Sequence, residues 1–174
     1  MFKNILVAID GSSHARHATE VAGDIAGKYG ATLVLLHVVG NGRVPESIAR
    51  MLEVERMTKA EHPNPPNVAN VPGAIAVAER GIDSKEHEQR MKEAIADKVL
   101  AEAERVAKSK DVAAVSRLTE HGDPVERILD CAAREDVDLV VMGTRGLSDL
   151  KGLLMGSVSH KVCQLSDCTC ITVK

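Results

Sequence analysis

Short apolar runs alternate with longer amphipathic segments along most of this chain. The apolar runs lie at residues 3–9, 32–39, 112–120, 138–142 and 169–173. Runs without regular polar alternation are typical of strands buried on both faces of a parallel sheet. Because helix-like segments separate successive runs, and crossovers between parallel strands are right-handed, the pattern predicts an α/β fold with an open, doubly wound, five-stranded parallel sheet.

Capping residues mark where several of the predicted helices begin and end. The hydroxyl of Ser12 or Ser13 caps a first helix, and Gly30 ends it. Another helix begins at Asp123, which occupies the N-cap, with Pro124 in the first helical position. Two further helices are predicted at residues 84–109 and 157–165. The apolar stripe of the longer one contains Met91, Ile95, Val99, Ala103 and Val106.

The segment 40–83 departs from this alternation. A helix-like stretch at 45–59 precedes a loop rich in proline and asparagine within 62–73. Residues before proline avoid the α region, so this loop should be extended or irregular. The chain is predicted to be a single domain of residues 1–174, within which this segment interrupts the alternation. The segment can act as a lid over a ligand, as a dimer contact or as a mobile loop.

Composition narrows the classes of function. One Phe, one Tyr and no Trp leave few aromatic platforms for single-stranded nucleic acid. A net charge of −3 also lacks the basic footprint of nucleic-acid binding. No apolar run approaches the ~18 residues of a membrane span, and no leader pattern precedes the first strand. We therefore expect a cytoplasmic protein without a membrane segment.

Four cysteines lie in the C-terminal third: Cys131, Cys163, Cys168 and Cys170. A metal site or a redox switch is one interpretation of this cluster. However, the spacing matches no standard zinc pattern, and disulfides are rare in the cytosol. The favoured interpretation is that these cysteines are small buried hydrophobes.

A glycine-rich loop between the fourth strand and the last helix carries the most specific pattern. Two residues separate Gly143 from Gly146, and Gly156 and Ser157 follow after nine more. Glycine permits positive φ and close approach of a ligand, and the N–H groups of a helix N-terminus favour phosphate. The hydroxyls of Ser157 and Ser159 add donors. Because open α/β sheets bind ligands where strands end, this loop is predicted to cradle a phosphate.

This glycine spacing, together with an acidic residue after the first strand, resembles the ATP-binding signature of the universal stress protein family. The segments 2–12, 35–38 and 122–124 also look like that family, and the resemblance covers roughly residues 1–40 and 90–174. It implies a Rossmann-like sheet of strand order 3-2-1-4-5. It also implies that the segment at about 40–83 is an insertion, because members of the family commonly have a shorter connection there. Asp10 would then lie beside Gly143 in one crevice.

The resemblance also implies roles for individual residues. Asp10 would accept a hydrogen bond from the ribose or the adenine edge, and Ala8 and Val38 would flank the adenine. The remaining nucleotide-binding positions, toward the nucleoside and the phosphates, are Met142, Gly143, Arg145, Gly146, Gly156, Ser157, Val158 and Ser159. Alternative interpretations are that Asp10 is a helix cap or loop carboxylate, that Ala8 and Val38 are ordinary strand core, and that Arg145 is solvated.

The function implied by the resemblance is that of an ATP-binding regulatory or stress-response protein. Its cofactor would be ATP, with Mg²⁺ held by the phosphates, and it would form a homodimer through the strand at 169–173. A regulatory protein partner is conceivable. The alternatives are an ATP hydrolase or phosphotransferase using the same pocket, and a structural dimer with an empty pocket. Asp149 and His160 lie near the loop, but no spacing gives either a catalytic role. His37, within an apolar strand, is predicted to be a satisfied core histidine.

Overall fold

The computed structural model describes residues 1–40, 84–147 and 155–174. The predictions for the helix-like stretch at 45–59, for the loop at 62–73 and for Asp149 lie outside these described residues. The contacts divide the chain into two compact units, Met1–Asn41 with Ile95–Lys174, and Gly42–Ala94. The first unit contains the whole sheet. The single domain with an insertion at about 40–83 stays a prediction.

Strands and helices alternate in the described residues. Their order and bounds are β1 (Asn4–Ala8), α1 (Ser13–Tyr29), β2 (Thr32–Val39), α2 (Ser84–Lys108), β3 (Ala114–His121), α3 (Pro124–Arg134), β4 (Leu139–Gly143), α4 (Ser157–Leu165) and β5 (Thr169–Val173). The five strands form one parallel sheet of order β3-β2-β1-β4-β5. The predicted fold class and strand order are therefore confirmed.

The predicted helix caps form the expected hydrogen bonds. The Ala15 N–H donates to the Ser12 hydroxyl at 3.2 Å, which makes Ser12 the N-cap of α1. Gly30 ends that helix in the left-handed region with φ 66°, where a side chain would be strained. The Asp123 carboxylate accepts from the Val125 N–H at 2.9 Å, with Pro124 in the first turn. These local signals fix where α1 and α3 begin.

Each face of the sheet carries its own aliphatic core. Alternate residues of β1 point to opposite faces, so Ile5 and Val7 pack with α1 and α2, whereas Leu6 packs with α3 and α4. Burying one such side chain contributes about 1.5–3 kcal/mol. The alternation of side chains along the strands thus holds helices on both faces of the sheet.

The buried face of α2 is displaced from the predicted stripe. Ala103 and Val106 are buried as expected, but the other buried positions are Ala96, Leu100 and Ala107. Alanine allows the helix backbone to approach the neighbouring elements closely, and bulkier Val99 packs at the flank of the cluster. The helical periodicity was therefore predicted correctly. The predicted stripe selected the larger side chains, whereas three of the five buried positions are alanines.

Cys131 is fully buried, and burial raises the pKa of its thiol to about 11. This agrees with its interpretation as a small hydrophobe, whereas Cys163, Cys168 and Cys170 are half-buried. Within the described ranges, no three His, Cys, Asp or Glu side chains are placed to hold a metal ion.

Strand β5 lies at one edge of the sheet, where it pairs with β4. An edge strand presents unpaired backbone groups to which a second chain can add. The homodimer through this strand stays a prediction. Across the described part of the chain, no helix has the length and apolar character to cross a membrane.

Candidate functional site

The candidate site lies at the carboxyl ends of β1 and β4, where the order of the strands reverses. Ala8 pairs with Met142 in the register of these two strands, so the residues that follow them emerge side by side. Ligands of open α/β sheets bind at such a switch point. Asp10 and the glycine loop meet here, because the Leu147 N–H donates to Asp10 Oδ2 at 3.1 Å.

The Asp10 carboxylate is engaged by the backbone on both oxygens. Its Oδ1 accepts from the Ser12 N–H at 2.9 Å, which closes the turn into α1. Its Oδ2 accepts from Leu147 in the turn after β4. The placement of Asp10 beside the loop is as expected, but its bonds are to main-chain donors, in line with the alternative that it is a loop carboxylate.

The main chain of Thr144 connects the start of the glycine loop to β5 and to the start of α4. Its N–H donates to the Val173 carbonyl at 2.7 Å, and its carbonyl accepts from the Gly156 N–H, also at 2.7 Å. The Ser159 hydroxyl donates to the Thr144 and Gly156 carbonyls, each at 3.0 Å. The Gly156 N–H is therefore not free, and the single hydroxyl proton of Ser159 is used within the loop. The assignment of these two groups to a phosphate stays a prediction, and it would require them to exchange their present partners for the ligand.

The first turn of α4 still presents backbone donors. Its first intrahelical bond runs from the His160 N–H to the Gly156 carbonyl at 3.0 Å. The N–H groups of Ser157, Val158 and Ser159 precede that bond, so they have no acceptor within the helix. The helix dipole adds positive potential at the same point. These three N–H groups and the exposed Ser157 side chain are the hydrogen-bond donors at the start of α4.

The glycines of the loop are explained by close contacts rather than by positive φ. Gly156 has φ −76°, and the described glycines with positive φ are Gly11, Gly30 and Gly122. A Cβ built on Gly143 would lie 2.7 Å from His14 Cβ, and one on Gly146 would overlap Asp10 Oδ2. On Gly156 the nearest atom would be the Thr144 carbonyl oxygen at 3.4 Å. The expectation that these glycines serve positive φ is therefore wrong. At Gly143 and Gly146, neighbouring backbone and side-chain atoms leave no room for a Cβ.

The sheet face that carries α3 and α4 also holds four half-buried apolar side chains. Ala8, Val38, Val125 and Val158 pack against the core cluster of that face. Val158 therefore contributes its side chain to this packing, and its N–H is one of the three at the start of α4. Met142 is 3% exposed, so its side chain belongs to the core.

Two other predicted site residues contribute main-chain contacts. Gly143 packs against His14 at the start of α1, as described above. Half-buried Arg145 accepts a hydrogen bond at its carbonyl from the Ser12 hydroxyl at 3.4 Å. Asp10, Ser12 and His14 thus connect the turn after β1 to the turn after β4. Sequence reasoning missed this role of Ser12 and His14.

His37 is buried near the site, with 9% exposure. Its Nδ1–H donates to the Ile9 carbonyl at 2.7 Å, because a carbonyl can only accept. Burial lowers the pKa of this imidazole below 6.5, while the hydrogen bond to Ile9 and the nearby Asp10 charge partly oppose the shift. The prediction of a satisfied core histidine is confirmed.

His37 should make the protein less stable in mild acid. Below pH 6.5 the unfolded chain binds a proton that folded His37 takes up only at lower pH, so the free energy of unfolding falls as pH decreases through that interval. His37→Asn keeps a donor for Ile9 but does not titrate. Urea unfolding at several pH values should therefore show a weaker dependence in this variant than in wild type. An unchanged slope in His37→Asn would refute the assignment.

Comparison with known proteins agrees with this architecture. The model of the "Universal stress protein family" matches residues 1–64 and 67–174. Universal stress protein YxiE of Bacillus subtilis is 35% identical over 174 residues, which is the full length of both chains.

Two solved structures share the fold. A universal stress protein in complex with cAMP has a TM-score of 0.63 at 22% identity, with 99% of this chain and 97% of that chain covered. The universal stress protein from Archaeoglobus fulgidus in complex with dAMP has a TM-score of 0.59 at 18% identity, with 99% and 98% covered. The family model matches almost every residue, and the fold agrees with that of the solved structures. The chain therefore belongs to the universal stress protein family.

Proposed function

We propose that this protein binds an adenine nucleotide, ATP foremost, at the carboxyl ends of β1 and β4. The observation that carries the proposal is the first turn of α4, where three N–H groups have no intrahelical acceptor, on a sheet face that also holds half-buried apolar side chains. An anion site beside an apolar surface suits a ligand with a phosphate and a flat base. The two structural neighbours were solved with cAMP and dAMP, which share an adenine and a phosphate.

The adenine would lie against Ala8 and Val38, and the phosphates would accept from the first turn of α4 and from the Ser157 hydroxyl. Arg145 would bring positive charge to the phosphate end. Mg²⁺ would be held by the phosphate oxygens and water, which suits an ion that keeps several waters when it binds nucleotides. Such a site can distinguish nucleotides from nucleosides through the charge on the phosphates.

We further propose that the bound nucleotide has a regulatory role in a stress response, with dimer or partner interactions that depend on it. Two titratable groups at the strand ends already face the backbone: Asp10 accepts from two N–H groups, and His37 donates to Ile9. Groups held in this way serve to position the site, which favours binding over hydrolysis. The homodimer, the protein partner and the cytoplasmic location stay predictions.

Nucleotide-free protein should be stabilised by ATP with Mg²⁺. At a free ligand concentration 100 times Kd, binding adds about 2.7 kcal/mol to the free energy of unfolding. For a chain of this size the melting temperature should rise by roughly 5–11 °C, measured by calorimetry or dye-based thermal unfolding. GTP at the same concentration should give a smaller rise. If ATP, ADP and AMP all leave the melting temperature unchanged, the proposed function is wrong.

A further inference from the structure

We propose that Asp10 is a positioning residue whose carboxylate fixes the turn after β4 through hydrogen bonds to the main chain. We call this turn, residues 143–147, the glycine turn. The carboxylate would hold the glycine turn in place with or without a ligand. The consequence for phosphate binding rests on the proposed function, whereas the contact itself does not.

The hydrogen bonds of Asp10 support this role. Its Oδ1 closes its own turn with the Ser12 N–H at 2.9 Å, and its Oδ2 reaches 137 positions along the chain to the Leu147 N–H at 3.1 Å. Hydrogen bonds to a charged acceptor are stronger than those between neutral groups. Asp10 therefore joins two loops that are distant in sequence, from the point where both leave the sheet.

The hydrogen bond from Leu147 to Asp10 fixes the main chain of Leu147, not its side chain. The Leu147 side chain is 56% exposed, so burial of that side chain does little to fix the turn. A Cβ on Gly146 would overlap Asp10 Oδ2, so the absence of a side chain there is what lets the carboxylate reach the Leu147 N–H. The position of the Asp10 carboxylate therefore explains why residue 146 is glycine, and no ligand is needed for this explanation.

The glycine turn is connected directly to the phosphate end of the site. The carbonyl of Thr144, the second residue of the turn, accepts from the Gly156 N–H and the Ser159 hydroxyl, which fixes the first turn of α4. If the turn moves, the donors of α4 lose their placement relative to Ala8 and Val38. Loss of the Asp10 contact should therefore weaken phosphate binding more than base binding.

Asp10→Asn tests the contact in the absence of nucleotide. An amide has one acceptor oxygen, so it can hold the Ser12 or the Leu147 N–H but not both. We expect hydrogen exchange at the Leu147 amide to be at least about tenfold faster than in wild type, as for loss of a charged hydrogen bond. The Val141 amide, within β4, should exchange as in wild type. Unchanged exchange at both the Leu147 and Ser12 amides would overturn the proposal.

Ligand affinities test the consequence of positioning for phosphate binding. In Asp10→Asn, ATP should bind roughly tenfold more weakly, and adenosine should lose clearly less affinity than ATP. Equal losses of affinity for adenosine and ATP would refute the link from Asp10 to the phosphate end. Should wild-type protein bind no ATP while the exchange result holds, the proposed function falls and the positioning contact stands.

A double-mutant cycle tests the match between Gly146 and Asp10. Gly146→Ala alone should accelerate exchange at the Leu147 amide, because its Cβ displaces the carboxylate. In an Asp10→Ala background the overlap is gone, so the same substitution should add little. Coupling of this kind is expected for residues in contact, whereas independent sites give additive effects. Additive effects of the two substitutions would contradict the proposal.

Discussion

Gly143→Ala is expected to lower the free energy of unfolding by about 1–3 kcal/mol, the usual cost of overpacking. The new Cβ would lie 2.7 Å from His14 Cβ and 2.9 Å from both the His14 carbonyl carbon and the Arg145 carbonyl oxygen. Two of these atoms are backbone, so a rotamer change cannot relieve the overlap. The start of α1 or the glycine turn would have to move. The melting temperature should fall by roughly 2–12 °C.

Gly156→Ala is the matched control, since it adds the same methyl group to the same loop. At Gly156 the nearest atom to a new Cβ is 3.4 Å away, and φ −76° suits alanine. We expect a loss of stability below about 1 kcal/mol, because alanine is only a poorer N-cap than glycine. Chemical unfolding of both variants gives the comparison. Equal destabilisation would mean that packing against α1 is not what requires glycine at position 143.

Ser157→Ala is expected to weaken ATP binding roughly 10- to 100-fold while leaving adenosine almost unaffected. The exposed Ser157 hydroxyl lies at the first position of α4, where a phosphate would accept from it. A hydrogen bond to a charged group contributes about 1.5–3 kcal/mol, and 1.4 kcal/mol is a factor of ten in Kd. Alanine is a good helix former, so the variant should remain folded. Gly156→Val should weaken ATP further, because its branched side chain would fill the space beside the phosphates.

Isothermal titration of ATP and adenosine measures the effect. Ser157→Thr restores a hydroxyl and should recover most of the affinity, whereas Ser116→Ala, on the exposed edge strand β3, should change neither ligand. If Ser157→Ala weakens ATP and adenosine equally, Ser157 does not contact the phosphates and its assigned role is wrong.

The fold could be predicted because its signals are local. The continuous apolar runs at β1, β2 and β4 match strands that are buried on both faces. Ser12, Gly30 and Asp123 each fix a helix end through bonds that span only a few residues. The strand order came from the resemblance to the family, because nothing in the pattern of one chain says which strands are neighbours.

The site was predicted less completely, because its contacts join residues that are far apart in sequence. The glycine spacing correctly indicated the loop, but the reasons for the glycines at 143 and 146 are His14 and Asp10, more than 120 positions away. The Ser159 hydroxyl was assigned to a ligand, yet it donates its hydrogen bond to the carbonyls of Thr144 and Gly156. Leu147 gave no signal, since its main chain rather than its side chain makes the contact.

The most direct test of nucleotide binding at this site follows the backbone amides of Ser157, Val158 and Ser159 by NMR. Nucleotide-free, ¹⁵N-labelled protein would be titrated in parallel with ATP and with adenosine. ATP should shift all three amides strongly, and adenosine should shift them little while still moving Ala8 and Val38. If ATP saturates the protein and the three amides of α4 do not move, or if adenosine moves them as much as ATP does, the phosphates do not bind there and the account is contradicted.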